Sequence, residues 1–147
     1  MAFIRGYAAY MKKRRLESED FYRLLEAIRK SMSTRLSTPK EALASISVES
    51  QGAEHFRELV VSGETLSDAF SRLSPSTSLS RGCSGMLSEY FAAFGRGYLD
   101  EELRCADEFI LRFGKEIERE RVCGANDERV VRSVAIAVTL GVIILII

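Results

Sequence analysis

The chain has 147 residues, enough for one domain with its own core. Its 21 Lys and Arg balance 21 Asp and Glu, which excludes the dominant basic surface of a nucleic-acid binder. The balance is uneven, because residues 1–35 hold nine Lys/Arg against four Asp/Glu and the remainder is acidic; one basic end suits the neighbourhood of anionic lipid.

The chain opens on MAFIRGYAAYMKKRR. Its apolar part is short and carries Arg5, so it cannot cross a bilayer. The charges follow the apolar residues rather than precede them, unlike a signal peptide. Two readings of residues 1–15 stay open. One is an amphipathic segment, interfacial or packed, with Phe3, Tyr7 and Tyr10 near one stripe and Lys12, Lys13, Arg14 and Arg15 beyond it. The other is the remnant of a longer membrane helix. The basic cluster suits a cytoplasmic membrane edge, or simply a solvated face.

Residues 16–35 predict the first helix, with Phe21, Leu24, Leu25, Ile28 and Met32 at helical spacing. Thr38-Pro39-Lys40-Glu41 is the sharpest helix start: a hydroxyl cap, a proline at the first helical position and a glutamate that closes a capping box. A short helix with Leu43 and Ile46 follows. Phe56, Leu59, Val60 and Val61 predict another from about Ala53. Gly63 marks a turn, and Leu66, Phe70 and Leu73 predict a compact helix after it. Residues 74–85, SPSTSLSRGCSG, read as a flexible linker between two helical groups. A helix resumes over residues 86–94 and is interrupted by Gly95 and Gly97.

Over about residues 100–121, Leu99, Leu103, Ala106, Ile110, Phe113 and Ile117 alternate spacings of four and three, an a/d seam able to meet another helix. Gly114 within it points to close approach by a neighbour. Gly124-Ala125-Asn126-Asp127 is expected to break this helix, with Asn126 or Asp127 capping the next one.

The last apolar run covers residues 130–147, interrupted only by Arg132. Eighteen residues make about 27 Å of helix, near the short limit for crossing a bilayer. Arg132 lies near one end, where its guanidinium can reach headgroups. The competing reading is a buried C-terminal core helix. The expected architecture is therefore an all-α bundle of about five to six short helices with a C-terminal transmembrane helix. The helical domain occupies 16–126 and the anchor 127–147.

No catalytic, cofactor or metal site is expected. His55 is the only histidine, and Glu54 and Glu58 beside it read as ordinary helix surface. HExxH and Glu-x-x-His pairs are absent, and the glycines form no phosphate loop. The carboxylates read as exposed helix faces. Cys83, Cys105 and Cys123 form no CxxC, so they read as buried, reduced thiols.

Five stretches in order, RLESEDFYRLLEAIRKSM (15–32), STPKEAL (37–43), GETLSDAF (63–70), ILRFGKEI (110–117) and LGVIILII (140–147), together resemble the stage III sporulation AB-type proteins of endospore-forming bacteria. That family is similar in turn to the helical cytoplasmic domain of the inner-membrane platform protein of type II secretion and type IV pilus systems. The chain departs from the family's pattern in the short apolar segment before its basic cluster. It departs again in Glu118, where a glycine is expected. The resemblance implies a membrane-anchored structural adaptor of the sporulation engulfment channel, without catalysis. Its implied partners are the membrane, a secretion-type ATPase and other channel proteins, with homo-oligomerisation left open. The helical domain would face the mother-cell cytoplasm, in keeping with Arg119, Arg121, Arg129 and Arg132 before the tail and no charge after it. The expected docking surface is Glu101, Glu102, Glu108, Arg112 and Glu116. The expected membrane-proximal residues are Lys12, Lys13, Arg14, Arg15, Arg129 and Arg132. The alternative is a soluble helical protein-binding or regulatory protein whose hydrophobic last helix is buried.

Overall fold

Helix-forming periodicity governs almost every stretch. In the computed structural model, which describes residues 2–35 and 37–146, six helices follow one another. They are α1 (Ala2–Thr34), α2 (Pro39–Ser45), α3 (Gln51–Val61), α4 (Leu66–Leu73), α5 (Arg81–Ala93) and α6 (Leu99–Ile146), with one 3-10 turn at Ser74–Ser76. Ile147, the last residue of the expected span, and Met1 lie outside the described residues.

Local signals set several boundaries. The Thr38 hydroxyl accepts from the Glu41 amide at 3.3 Å, and the Glu41 carboxylate accepts from the Thr38 amide at 3.4 Å; the expected capping box is complete. Thr65 caps α4 through the Asp68 amide, and Ser80 caps α5 through the Cys83 amide at 3.1 Å. Gly63 adopts φ +114° in the turn between α3 and α4, a conformation costly for a side chain.

The core is built by all six helices around four phenylalanines. Phe21, Phe56, Phe70 and Phe91 meet at centroid distances between 5.1 and 6.3 Å, in tilted, edge-on and stacked pairs. Such geometries add to the value of burial alone. Leu24, Leu25, Ile28, Leu43, Leu73 and Leu87 close around them. A second aromatic column runs from α5 to α6, where Tyr90 stacks on Phe109 at 4.4 Å and Phe109 on Phe113 at 5.8 Å. Phe109 lies outside the a/d seam expected of α6. It is buried because α6 packs against α5 as well as α1, and two neighbours require a wider apolar face than one.

Three features differ from the sequence-based expectation. First, α1 begins at Ala2 rather than near residue 16, so residues 2–15 are one helix with the core-forming half. Second, α6 is a single helix through Gly124-Ala125-Asn126-Asp127. Propagating a helix already formed on both sides avoids a second nucleation. Gly124 also faces α1, where a Cβ would lie only 2.9 Å from the Met11 methyl. Third, residues 74–85 hold the 3-10 turn and the first part of α5. Leu79, Ser80 and Cys83 are buried there, fixed by contacts with glutamates far away in sequence.

Two of the anchoring groups are buried carboxylates of α1. Glu17 and Asp20 are 1% and 2% exposed, which corrects the reading of the acidic residues as uniformly exposed. Asp20 accepts from the Glu49 and Ser50 amides at 3.1 and 2.7 Å, serving the start of α3 where Ser50 makes no side-chain cap. Glu17 accepts from the Ser78 amide at 2.7 Å. Burial pushes the Glu17 carboxyl above its ordinary value, against the opposing Ser78 hydrogen bond and the Lys13 charge. A Cβ on Gly52 would overlap a Glu17 carboxylate oxygen at 1.6 Å, so this position admits only glycine while Glu17 stays in place.

Candidate functional site: a two-helix stalk and a charged face

Helices α1 and α6 run antiparallel in a register visible along most of α1. Arg29 pairs with Asp107 at 2.7 Å, a Cβ on Gly114 would meet the Tyr22 ring at 3.2 Å, and Arg14 approaches Glu120 at 3.9 Å. Met11 covers Gly124. Each step toward the start of α1 is thus matched by a step toward the end of α6. A groove lined by Tyr7, Met11, Gly124, Asp127 and Glu128 shows the two helices still side by side at that level. The same register puts Ile4 level with Val131, and both are half-buried.

Where the stalk joins the bundle, Ser80 donates to Glu120, and the Cys83 thiol lies 3.6 Å from the same carboxylate. Burial pushes the Cys83 thiol up to about 11, with Glu120 adding to the effect and a Ser80 hydrogen bond opposing it. Cys83 is therefore a packed, unreactive thiol. Cys105 and Cys123 are exposed, contrary to expectation, because they project from sides of α6 that no other helix covers.

Beyond the level of α1, α6 continues bare. Val134, Ile136, Val138, Leu140, Val142 and Ile144 are all exposed. This helix is long and apolar enough to cross a membrane, and none of its most apolar window is buried. The tail is therefore not a core helix of this bundle. Its hydroxyl at Thr139 donates to the Ala135 carbonyl at 2.8 Å, satisfied within the helix as a lipid environment demands.

The expected membrane-proximal residues divide by position. Arg129 and Arg132 stand at the mouth of the apolar run, Arg132 donating to Glu128 at 2.7 Å. Arg14 turns inward to Glu120, and Arg15 pairs with Glu19 at 3.2 Å. Lys12 and Lys13 are exposed.

The expected docking residues are only partly brought together. Glu101, Glu108 and Arg112 are exposed on one stripe of α6, with Arg112 5.9 Å above the Phe109 ring. Glu102 is directed elsewhere, accepting from the Gly95 and Gly97 amides at 3.1 and 3.0 Å and holding the α5–α6 turn. Glu116 is half-buried near Gly82 and bound by Arg119, whose hydrogen bond lowers its carboxyl from the ordinary value. His55 is exposed, and among the described residues no group of three or more His, Cys, Asp or Glu could hold a metal.

The burial of Glu17, Asp20 and Phe109 goes beyond the sequence-based expectation. A signal existed for the first two: positions 17, 20, 21, 24 and 28 share one helical stripe. A carboxylate on an apolar stripe is a buried one with a partner.

The chain matches Stage III sporulation protein AB over residues 2–147. It belongs to that family. No curated protein matches it, and no solved structure does. The family is a structural, non-catalytic one. Membership together with the apolar end of α6 makes this a membrane protein of stage III sporulation.

Proposed function

We propose that the protein is a membrane-anchored structural adaptor of the sporulation engulfment channel. The end of α6 holds it in the membrane, and the helical bundle docks a secretion-type ATPase and other channel components. The observation that carries this reading is the unbroken course of α6 from the aromatic core to the bare apolar run. A helix shared by both parts couples the bundle to the membrane without a hinge, so a load on one is borne by the other. Arg129 and Arg132 before the span, with no charge among residues 133–147, favour a cytoplasmic bundle by the positive-inside tendency, on the mother-cell side. Family membership supports the setting.

The docking face is the exposed stripe of Glu101, Glu108 and Arg112, with Glu102 and Glu116 at its margins. A charged stripe on a rigid helix, with Glu101 and Glu108 beside Arg112, offers charge complementarity to a partner surface. The test is capture of the sporulation ATPase by detergent-solubilised protein. Glu101→Lys with Glu108→Lys should abolish capture while the helical circular dichroism is kept. Undiminished capture would remove this face from the proposal.

A further inference from the structure

We propose that the first turns of α1 form a second membrane contact, a basic collar that binds anionic lipid headgroups beside the entry point of α6. This rests on the reading of α6 as the membrane anchor and adds to it a lipid class and a second element.

Charge is segregated along the stalk. A cut across both helices at one level, between residues 16 and 17 and between 118 and 119, leaves nine Lys/Arg and three Asp/Glu on the tail side. The bundle side holds twelve Lys/Arg and eighteen Asp/Glu. A chain of zero formal charge is thus strongly dipolar, with its positive end toward the apolar run. Among the described residues, Arg5, Lys12, Lys13 and Arg129 make no ion pair within the bundle, so their charge is free for an external anion.

The register places these groups at a bilayer surface. Ile4 is level with Val131, so Phe3 and Arg5 flank the level at which the apolar run begins. Phe3 is 78% exposed, and among the described residues nothing covers its ring; the boundary between headgroups and acyl chains buries such a side chain on an interfacial helix. Arg5 and Lys12 are seven residues apart, on the face turned away from the α6-facing line of Ile4, Tyr7 and Met11. Lys12 and Lys13 stand level with residues about ten before Ser133, roughly 15 Å from it along the axis. Their side chains bring the ammonium groups within about a Debye length, ~8–10 Å, of the headgroup layer. Arg5 and Arg129 are therefore direct contacts, and the lysines act through the field of an anionic surface.

The chain contains no tryptophan, so a single introduced one reports its own surroundings. Full-length chains carrying Phe3→Trp or Val134→Trp are reconstituted into protein-free vesicles of brominated phosphatidylcholine, with or without phosphatidylglycerol. Val134→Trp should be blue-shifted and quenched in both. Phe3→Trp should be blue-shifted and quenched more strongly with the anionic lipid than without it, and Arg5→Glu with Lys12→Glu should remove that difference. If Val134→Trp is quenched and Phe3→Trp is not, the collar is overturned while the anchor stands. Quenching of Phe3→Trp that ignores both lipid charge and charge reversal overturns the anionic recognition. A Val134→Trp that stays unquenched overturns the anchor, and the collar with it.

Discussion

Residues 99–118 and 130–146 belong to one helix, yet they treat apolar side chains in opposite ways. In the first stretch Ala106, Phe109 and Phe113 are buried, while charged groups such as Arg104, Glu108 and Arg112 occupy the outer side. In the second, Val134, Ile136, Val138 and Leu140 are 54–61% exposed, and apolar residues surround the helix. An apolar stripe asks for a neighbouring helix, whereas an apolar circumference asks for a non-aqueous solvent. The stretch between them, lined by α1 and rich in arginine, separates the two environments.

The largest effect is expected from removing the apolar end. A chain stopped after Arg132 should move from the membrane fraction to the soluble fraction and keep its helical bundle by circular dichroism. A truncated chain that unfolds would mean that the tail contributes to the core, and the contrast would fail. Next, Phe56→Ala empties the centre of the phenylalanine cluster and should destabilise the bundle by about 3–5 kcal/mol, with Leu140→Ala leaving denaturant stability unchanged. The two together show which apolar residues serve packing and which serve lipid.

A smaller effect lies in the buried carboxylates of α1. Gly52→Ala drives a Cβ into Glu17 and should cost about 1–3 kcal/mol, as read by chemical denaturation. Glu17 itself carries a pH signature. Its folded carboxyl is raised above 4.5, so the folded chain holds that proton more tightly than the unfolded chain. Its stabilising contribution is complete below the unfolded value and is lost as pH rises through the folded one. Glu17→Gln should therefore lose less stability than the parent chain between about pH 4 and pH 7. An equal loss in both would place the titration elsewhere. The smallest effect is chemical: a thiol reagent should modify Cys105 and Cys123 in the folded chain and reach Cys83 only on unfolding.

Much of the contrast was legible in the amino acids. Thr38-Pro39-Lys40-Glu41 names its own cap, and Phe21, Leu24 and Ile28 name the inner face of α1. The charge-free run after Arg132 announces its solvent. What was not legible depended on neighbours distant in sequence. Residues 81–85 carry two glycines and weak helix propensity, and their helix is held by Ser80 capping and by the contact with Glu120. Gly124 reads locally as a breaker, but it is a point of close approach to Met11. Glu17 reads as surface, but it is the acceptor that fixes Ser78. Two of the five expected docking residues have partners within the chain for the same reason, since Glu102 accepts from the amides of the α5–α6 turn and Glu116 pairs with Arg119.

One uninterrupted helix, α6, runs from the bundle into its apolar end. Single nitroxides placed in turn from residue 118 to residue 140, in full-length protein with Cys105 and Cys123 replaced by serine and reconstituted into bilayers, give the test. Collisions with oxygen and with a water-soluble nickel reagent are measured at each site. A continuous α6 gives a 3.6-residue period running without interruption through residues 124–127, with nickel access falling and oxygen access rising after about Ser133. Loss of the period at residues 124–127, or nickel access that persists beyond Val134, would contradict it.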